Sequence, residues 1–237
     1  MENSHLIRIW NKGSIAYIQL NRPEKANAYN EAMLDTLAGT LENIAIDAEV
    51  RVLIISGAGN QSFCAGADIH EIRQRNYADA LNLKSAKVFD KIALFPQITL
   101  AAINGAAVGG GLELALACDI RIAVENATFF FPETKLGLIP AAGGTRRLPK
   151  IVGIPRAKEL ILGGRVWNVN DAMRWGLVNE VVQCEDLLAQ AQKWGEEIAQ
   201  RDPVALQLAK KSLDFQSENG LASSFELVSE ALLYQLK

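Results

Sequence analysis

A layered fold of strands and helices, α/β or α+β, is predicted by three features of the 237-residue sequence. Short apolar runs bounded by turn residues alternate with stretches of helical period in the first half, and beyond residue 183 helical period takes over. No shift in composition marks a linker, so one domain is expected over 1–237.

The elements follow in order. Ile7–Trp10 and Ala16–Leu20 alternate apolar and polar residues around Asn11-Lys12-Gly13-Ser14, the pattern of a β-hairpin. From Asn30 the period changes: Leu34, Leu37, Leu41 and Ile44 recur at helical spacing, and near Asp47 the helix gives way to a strand, Val52–Ser56. A glycine-rich loop, GAGNQSFCAGAD, comes next. Leu81, Val88, Ile92 and Phe95 predict one amphipathic helix stopped by Pro96, and Thr99–Ile103 reads as a buried strand. A helix starting near Gly110 leads to a strand at Ile120–Val124, a second glycine loop at AAGGTRR, and helices at Pro155–Leu162 and Asn170–Trp175. Asn179–Val182 is the last strand. Leu187, Ala191, Trp194 and Ile198 then share a helical face, Pro203 opens a segment to Phe215, and Leu221, Phe225, Val228 and Leu232 continue the period.

Composition excludes several partners. Lys plus Arg number 24 and Asp plus Glu 27, a net charge of −3, which argues against nucleic acid or an anionic membrane surface. No window nears the roughly 18 apolar residues of a membrane span, and MENSHLIRIW lacks the basic and apolar regions of a secretory leader, so a cytoplasmic protein is expected. Cys64, Cys118 and Cys184 are odd in number, widely spaced and free of CxxC pairing; reduced, buried thiols are expected, with no metal site.

The chemistry concentrates in a few places. GxSxG, HExxH and GxxxxGK[ST] are absent, and the two histidines are His5 and His70, the latter read as lying on a solvated helix face. Gly109, Gly110 and Gly111 precede an apolar helix without forming GxGxxG; they serve either close strand–helix packing or a helix N-terminus whose Gly110 amide is left to hold negative charge. FCAGAD, Phe63–Asp68, offers a second small-residue turn after a strand. Glu113 interrupts the most apolar run of the chain, and Glu133 follows Phe129, Phe130, Phe131 and Pro132. A lone glutamate in such a place is usually exposed or paired, but burying a carboxylate costs several kcal/mol, and two such residues beside two amide-bearing turns point to function.

Taken in order, AYIQLNRPEKANAYN, FCAGADI, NGAAVGGGLELALACD, PETKLGLIPAAGGTRRLPKIVG, AKELILGGR and AMRWGLVNEVV closely resemble the enoyl-CoA hydratase/isomerase (crotonase) family, from about residue 6 to the 230s. The resemblance implies an α/β fold: a spiral of repeated ββα units over 1–183 and a helical C-terminal region, 184–237, that assembles trimers, often stacked as hexamers. That region ends sooner than in typical members. The implied substrate is an acyl-CoA thioester, with no separate cofactor or metal. By position, the Ala67 and Gly110 amides match the family's oxyanion hole, and Glu113 and Glu133 match the two acids of its hydratases. Lys25, Ala26, Ala28, Ala65, Gly66, Asp68, Ile69, Gly109, Pro132 and Leu138 match the substrate groove. The implied activity is hydration of a 2-enoyl-CoA to a 3-hydroxyacyl-CoA, a hydro-lyase reaction. Glu113, in the first turn after Gly110, is expected to stay ionised, and Glu133 to have a raised pKa. Phe129–Phe131 are expected to narrow the acyl pocket. The other readings are Δ3,Δ2-enoyl-CoA isomerisation, which needs one acid, a non-catalytic acyl-CoA-binding subunit, and a nicotinamide reductase, for which no GxGxxG is present.

Overall fold

Local sequence explains how the chain of the computed structural model starts, and the model describes residues 5–74 and 76–214. Gly13, at φ +57, makes the tight turn that joins β1 (Ile7–Lys12) to β2 (Ile15–Leu20) in antiparallel register. β1 is an edge strand, buried only at Ile7, whereas β2 is almost wholly buried. The Asn30 side chain accepts the Met33 N–H and so caps α1 (Glu31–Ala45), whose Met33, Leu34, Leu37, Leu41 and Ile44 enter the core.

A strand pair and helices then recur. β3 (Val52–Gly57) and β4 (Ser62–Cys64) lead to α2 (Ile69–Gln74), α3 (Tyr77–Asn82) and α4 (Lys84–Ala93). β5 (Ile98–Ile103) and β6 (Ala106–Val108) lead to α5 (Gly110–Ala117). β7 (Ile120–Val124) and β8 (Thr128–Phe130) lead through a 3-10 turn at Glu133–Leu136 to α6 (Gly144–Val152) and α7 (Ile154–Ile161). The first strand of each pair joins a six-stranded sheet ordered β1-β2-β3-β5-β7 and closed by Glu180–Val182 (β10), and the second joins a four-stranded sheet ordered β4-β6-β8 and closed by Trp167–Asn168 (β9). This alternation between two sheets is the ββα spiral that the resemblance implies. β9 (Trp167–Asn168), α8 (Val169–Arg174) and β10 (Glu180–Val182) complete the sheets, followed by α9 (Leu187–Ala199) and α10 (Pro203–Asp214).

Packing fixes the layers. β3, β5 and β7 pair in parallel and are buried on both faces, so their sequences are apolar runs rather than alternating ones. All eight residues of α5 are buried, which makes it a central helix without a solvent face. Gly195 lets α9 approach the sheet, since a Cβ there would come within 2.8 Å of Ile15 Cδ1. Lys210 docks α10: its Nζ donates to Asp119 Oδ2 at 2.8 Å, and the same oxygen accepts the Thr99 N–H at 2.7 Å.

Some expectations change. The single helix expected from Leu81 to Phe95 is broken: Leu83 sits in left-handed backbone at φ 47 between α3 and α4, and Leu81 is 63% exposed. A capping box between Asn76 and Asp79 starts α3 separately. AAGGTRR is a loop only as far as Gly143, and its arginines belong to α6. Cys64 and Cys118 are buried as expected, with burial pushing both thiols up to about 12, but Cys184 is exposed. Phe129 and Phe131 are buried and Phe130 is half-buried, and a Cβ on Gly144 would lie 3.1 Å from the Phe131 ring. The helical period at Leu221, Phe225, Val228 and Leu232, and Phe215 itself, lie outside the described residues.

Candidate active site

The first wall of the site comes from two segments lying side by side. Ala65 N–H donates to Ala26 O at 3.0 Å, Tyr29 N–H to Gly66 O at 2.8 Å and Asp68 N–H to Tyr29 O at 2.8 Å. Successive groups on extended backbone face opposite ways, so with Gly66 O and Asp68 N–H turned to Tyr29, the Ala67 amide turns away from it. Two buried asparagines hold this arrangement. Asn27 accepts the Arg22 N–H and donates to Ala58 O and Ser62 O; Asn104 accepts the Gly57 N–H and donates to Gly59 O and Ser62 O. Ala26 and Asn27 both have left-handed backbone, at φ 49 and 56, a conformation tolerated because these bonds over-determine it.

The second wall is the turn into α5. Gly109, at φ +51, donates its N–H to Phe130 O at 2.9 Å, and Gly110 is the first helical residue, whose amide has no acceptor within its own helix. The two walls meet closely: a Cβ on Gly66 would lie 3.2 Å from the Gly110 nitrogen, and one on Gly110 would overlap the Tyr29 hydroxyl. Gly111 serves packing, because a Cβ there would overlap the Cys64 carbonyl. Both sequence readings of the triple glycine therefore apply, to different glycines.

Glu113 and Glu133 come to this junction from different elements. One turn into α5, Glu113 is 3% exposed, and its Oε1 accepts the N–H groups of Ala142 at 2.8 Å and Gly144 at 2.7 Å. Glu133 opens the 3-10 turn and lies against Gly109, where a Cβ would come within 2.6 Å of its Oε1. Its Oε2 is buried and has no hydrogen-bond partner among the described residues. Burial pushes the Glu133 carboxyl up to about 7, with the nearby Glu113 charge adding to the rise. Burial also raises Glu113, opposed by the two amides and by Arg147 and Arg146. The helix end was expected to keep Glu113 ionised; desolvation works the other way and outweighs its amide and arginine partners, so the direction is upward.

The other residues marked for the groove are placed as follows. Lys25 and Ala26 are exposed, Ala28, Ala65 and Pro132 are half-buried, and Gly66 and Gly109 form the turns just described. Ile69 and Leu138 are 55% and 44% exposed, apolar side chains presented to water beside the site segments. Asp68 pairs with Arg22 at 3.0 Å and accepts the His70 N–H, and Arg22 holds its carboxyl below the usual carboxylate range. Arg22 also donates to Ala28 O, so the pair braces one segment against the other. His70 is exposed on α2 as expected. Sequence reasoning missed Asn27, Asn104, Tyr29, Ala142, Gly144 and Arg147, each of which has a partner far along the chain; the glycine pair in AAGGT was the one local signal. Among the described residues no cluster of His, Cys, Asp or Glu is arranged to hold a metal ion, and no helix is long and apolar enough to cross a membrane.

Two sheets in a ββα spiral, with two glycine turns and two glutamates at their junction, define a class, and residues 11–235 match the model of the enoyl-CoA hydratase/isomerase family. The chain belongs to that family. It is 38% identical to the short-chain-enoyl-CoA hydratase of Clostridium acetobutylicum over 93% of this chain and 85% of that protein. It is 37% identical to the crotonyl-CoA hydratase of Syntrophomonas wolfei, covering 92% and 84% of the two chains. The crystal structure of an enoyl-CoA hydratase from Bacillus anthracis superposes with a TM-score of 0.90 at 38% identity, covering 96% of this chain and 89% of the other. The fold is therefore the crotonase fold.

Proposed function

We propose that this protein is an enoyl-CoA hydratase that adds water across the double bond of a 2-enoyl-CoA thioester, coenzyme A entering as part of the substrate. The observation that carries the reading is the pair of glutamates at one junction with unlike surroundings: Glu113 held by two amides, Glu133 desolvated with one oxygen unpartnered. Relatives named for short-chain and crotonyl substrates support a short acyl group.

In the proposed mechanism the thioester oxygen sits between the Ala67 and Gly110 amides, which stabilise the negative charge that develops there; each such donor is worth roughly 10²–10³ in rate. Glu113 orients a water and removes one of its protons as the C–O bond forms at Cβ. Glu133 delivers its own proton to Cα, on the same face, so the addition is syn. The carboxylates exchange roles by proton transfer and are reset by solvent. No metal or redox group takes part. The support for a proton on Glu133 is its burial, which favours the neutral form near neutral pH.

Assembly as a trimer or hexamer in the cytoplasm belongs to the same proposal. Exposed Ile154, Leu162, Val166 and Met173 around α7 and α8 are apolar surface of the kind that subunits cover. Sedimentation in solution tests this, and a monomer would overturn it. The test of function is a crotonyl-CoA assay that follows loss of the conjugated thioester's ultraviolet absorbance with product identified by mass. A 3-hydroxyacyl-CoA product supports hydration. Migration of the double bond without added water would support the isomerase reading, in which Glu133 alone moves a proton.

A further inference from the structure

The geometry points to the Asp90–Arg147 ion pair as a positioning device for Glu113, acting through the glycine turn that supplies both amides to its Oε1; this rests on the role proposed above for Glu113. The turn Ala142–Gly144 runs straight into α6, whose first residue is Gly144 and whose N-cap is Gly143. Arg147, on the first full turn of α6, reaches back over it: Nη1 donates to Ala142 O at 3.1 Å, and the guanidinium lies so close over Gly143, at φ +115, that a Cβ there would overlap Nη1. The Arg147 N–H donates to Gly143 O at 2.8 Å. The side chain is 14% exposed, and its Nη2 is fixed by the carboxylate of Asp90 on α4, which also takes Arg146 at 2.8 Å.

The chain of contacts is therefore Asp90, Arg147, the Ala142–Gly144 turn, Glu113. α4 braces the other side of the site as well, because Phe89, beside Asp90, packs edge-on against Tyr29 with ring centroids 5.5 Å apart, and Tyr29 lies over Gly110. A planar five-donor guanidinium suits this position, since it must hold a carbonyl and a carboxylate at once; an ammonium is a point donor. The charged and titratable groups around Glu113 are Glu133 from the 3-10 turn, Arg146 and Arg147 from α6, Asp90 from α4 behind the arginines, and the neutral Cys64 thiol of β4 behind Gly111.

The test uses the full chain with ¹³C-carboxyl-labelled glutamate, the Glu113 resonance being assigned by its loss in Glu113→Gln. Titration midpoints and hydration of crotonyl-CoA are compared for wild type, Asp90→Asn, Arg147→Gln, Arg147→Lys and the surface control Lys91→Gln. If the pair positions the turn, Asp90→Asn raises the Glu113 midpoint even though a negative charge has been removed, by about half a pH unit or more. It also lowers kcat on the order of tenfold with little change in KM. Arg147→Gln does both more strongly, Arg147→Lys recovers part, and Lys91→Gln matches wild type. A midpoint that falls or stays put in Asp90→Asn overturns the inference, as does a loss of kcat with the midpoint unmoved. If wild type fails to hydrate crotonyl-CoA, the hydratase reading fails by itself, and the Glu113 midpoints still decide whether the pair positions the turn.

Discussion

Glu113 and Glu133 are the same residue type, each lying over a glycine, yet their surroundings separate them. The raised pKa of Glu133 predicts that kcat/KM for hydration falls as pH rises through about 7, because the proton to be delivered to Cα is lost. An initial-rate pH profile checks this. The same shift has a stability consequence. Between the ordinary 4.5 and about 7 the folded protein holds a proton that the unfolded chain has released, so stability from this group is full below 4.5 and lost as pH rises through 7. Glu133→Gln cannot ionise, so its melting temperature relative to wild type should be higher at about pH 8.5 than at about pH 5, read by circular dichroism. Glu113→Gln and Glu133→Gln should each lower hydration by about 10²-fold or more, with folding intact, and a variant retaining full rate would remove that residue from the mechanism. The two glutamates were legible in the sequence because a carboxylate in an apolar run stands out. Their environments were not, because the amides that hold Glu113 come from 29 and 31 residues further along.

Among the elements, glycine shows how the same residue serves opposite ends. In α5, Gly111→Ala would drive a Cβ into the Cys64 carbonyl, separating α5 from β4 at a cost of about 1–3 kcal/mol. In α1, Gly39 has nothing within 4 Å of a Cβ, so Gly39→Ala should stabilise by about 0.5–1 kcal/mol through helix propensity. Urea denaturation of the two variants measures both signs. Elements of six or more residues with clear period, such as α1, β3, β5 and α9, were legible from sequence. Of the three-residue strands only β10 was legible, and β4, β6 and β8 were not, since so few residues carry little period to register. The apolar spacing through Leu81 concealed the break at Leu83, although Asn76 and Asp79 held a readable cap for α3.

At the scale of the molecule, the tie between the spiral and α10 is the Lys210–Asp119 pair, with side chains 7% and 20% exposed. Lys210→Met leaves Asp119, among the described residues, with its Thr99 donors and should cost on the order of 3 kcal/mol, whereas adding Asp119→Asn should recover part of the loss. A double-mutant cycle by thermal or chemical denaturation measures the coupling. The sequence by itself determined the layered class, the buried central strands, the family, and which two carboxylates to suspect, because hydrophobic period and ordered motifs are local properties of the chain. Only the tertiary structure decided that Asp68 braces Arg22, and that Asp90, Arg147 and the Ala142–Gly144 turn converge on Glu113. The direction of an unspent amide and the desolvation of a carboxylate depend on what distant segments pack against them.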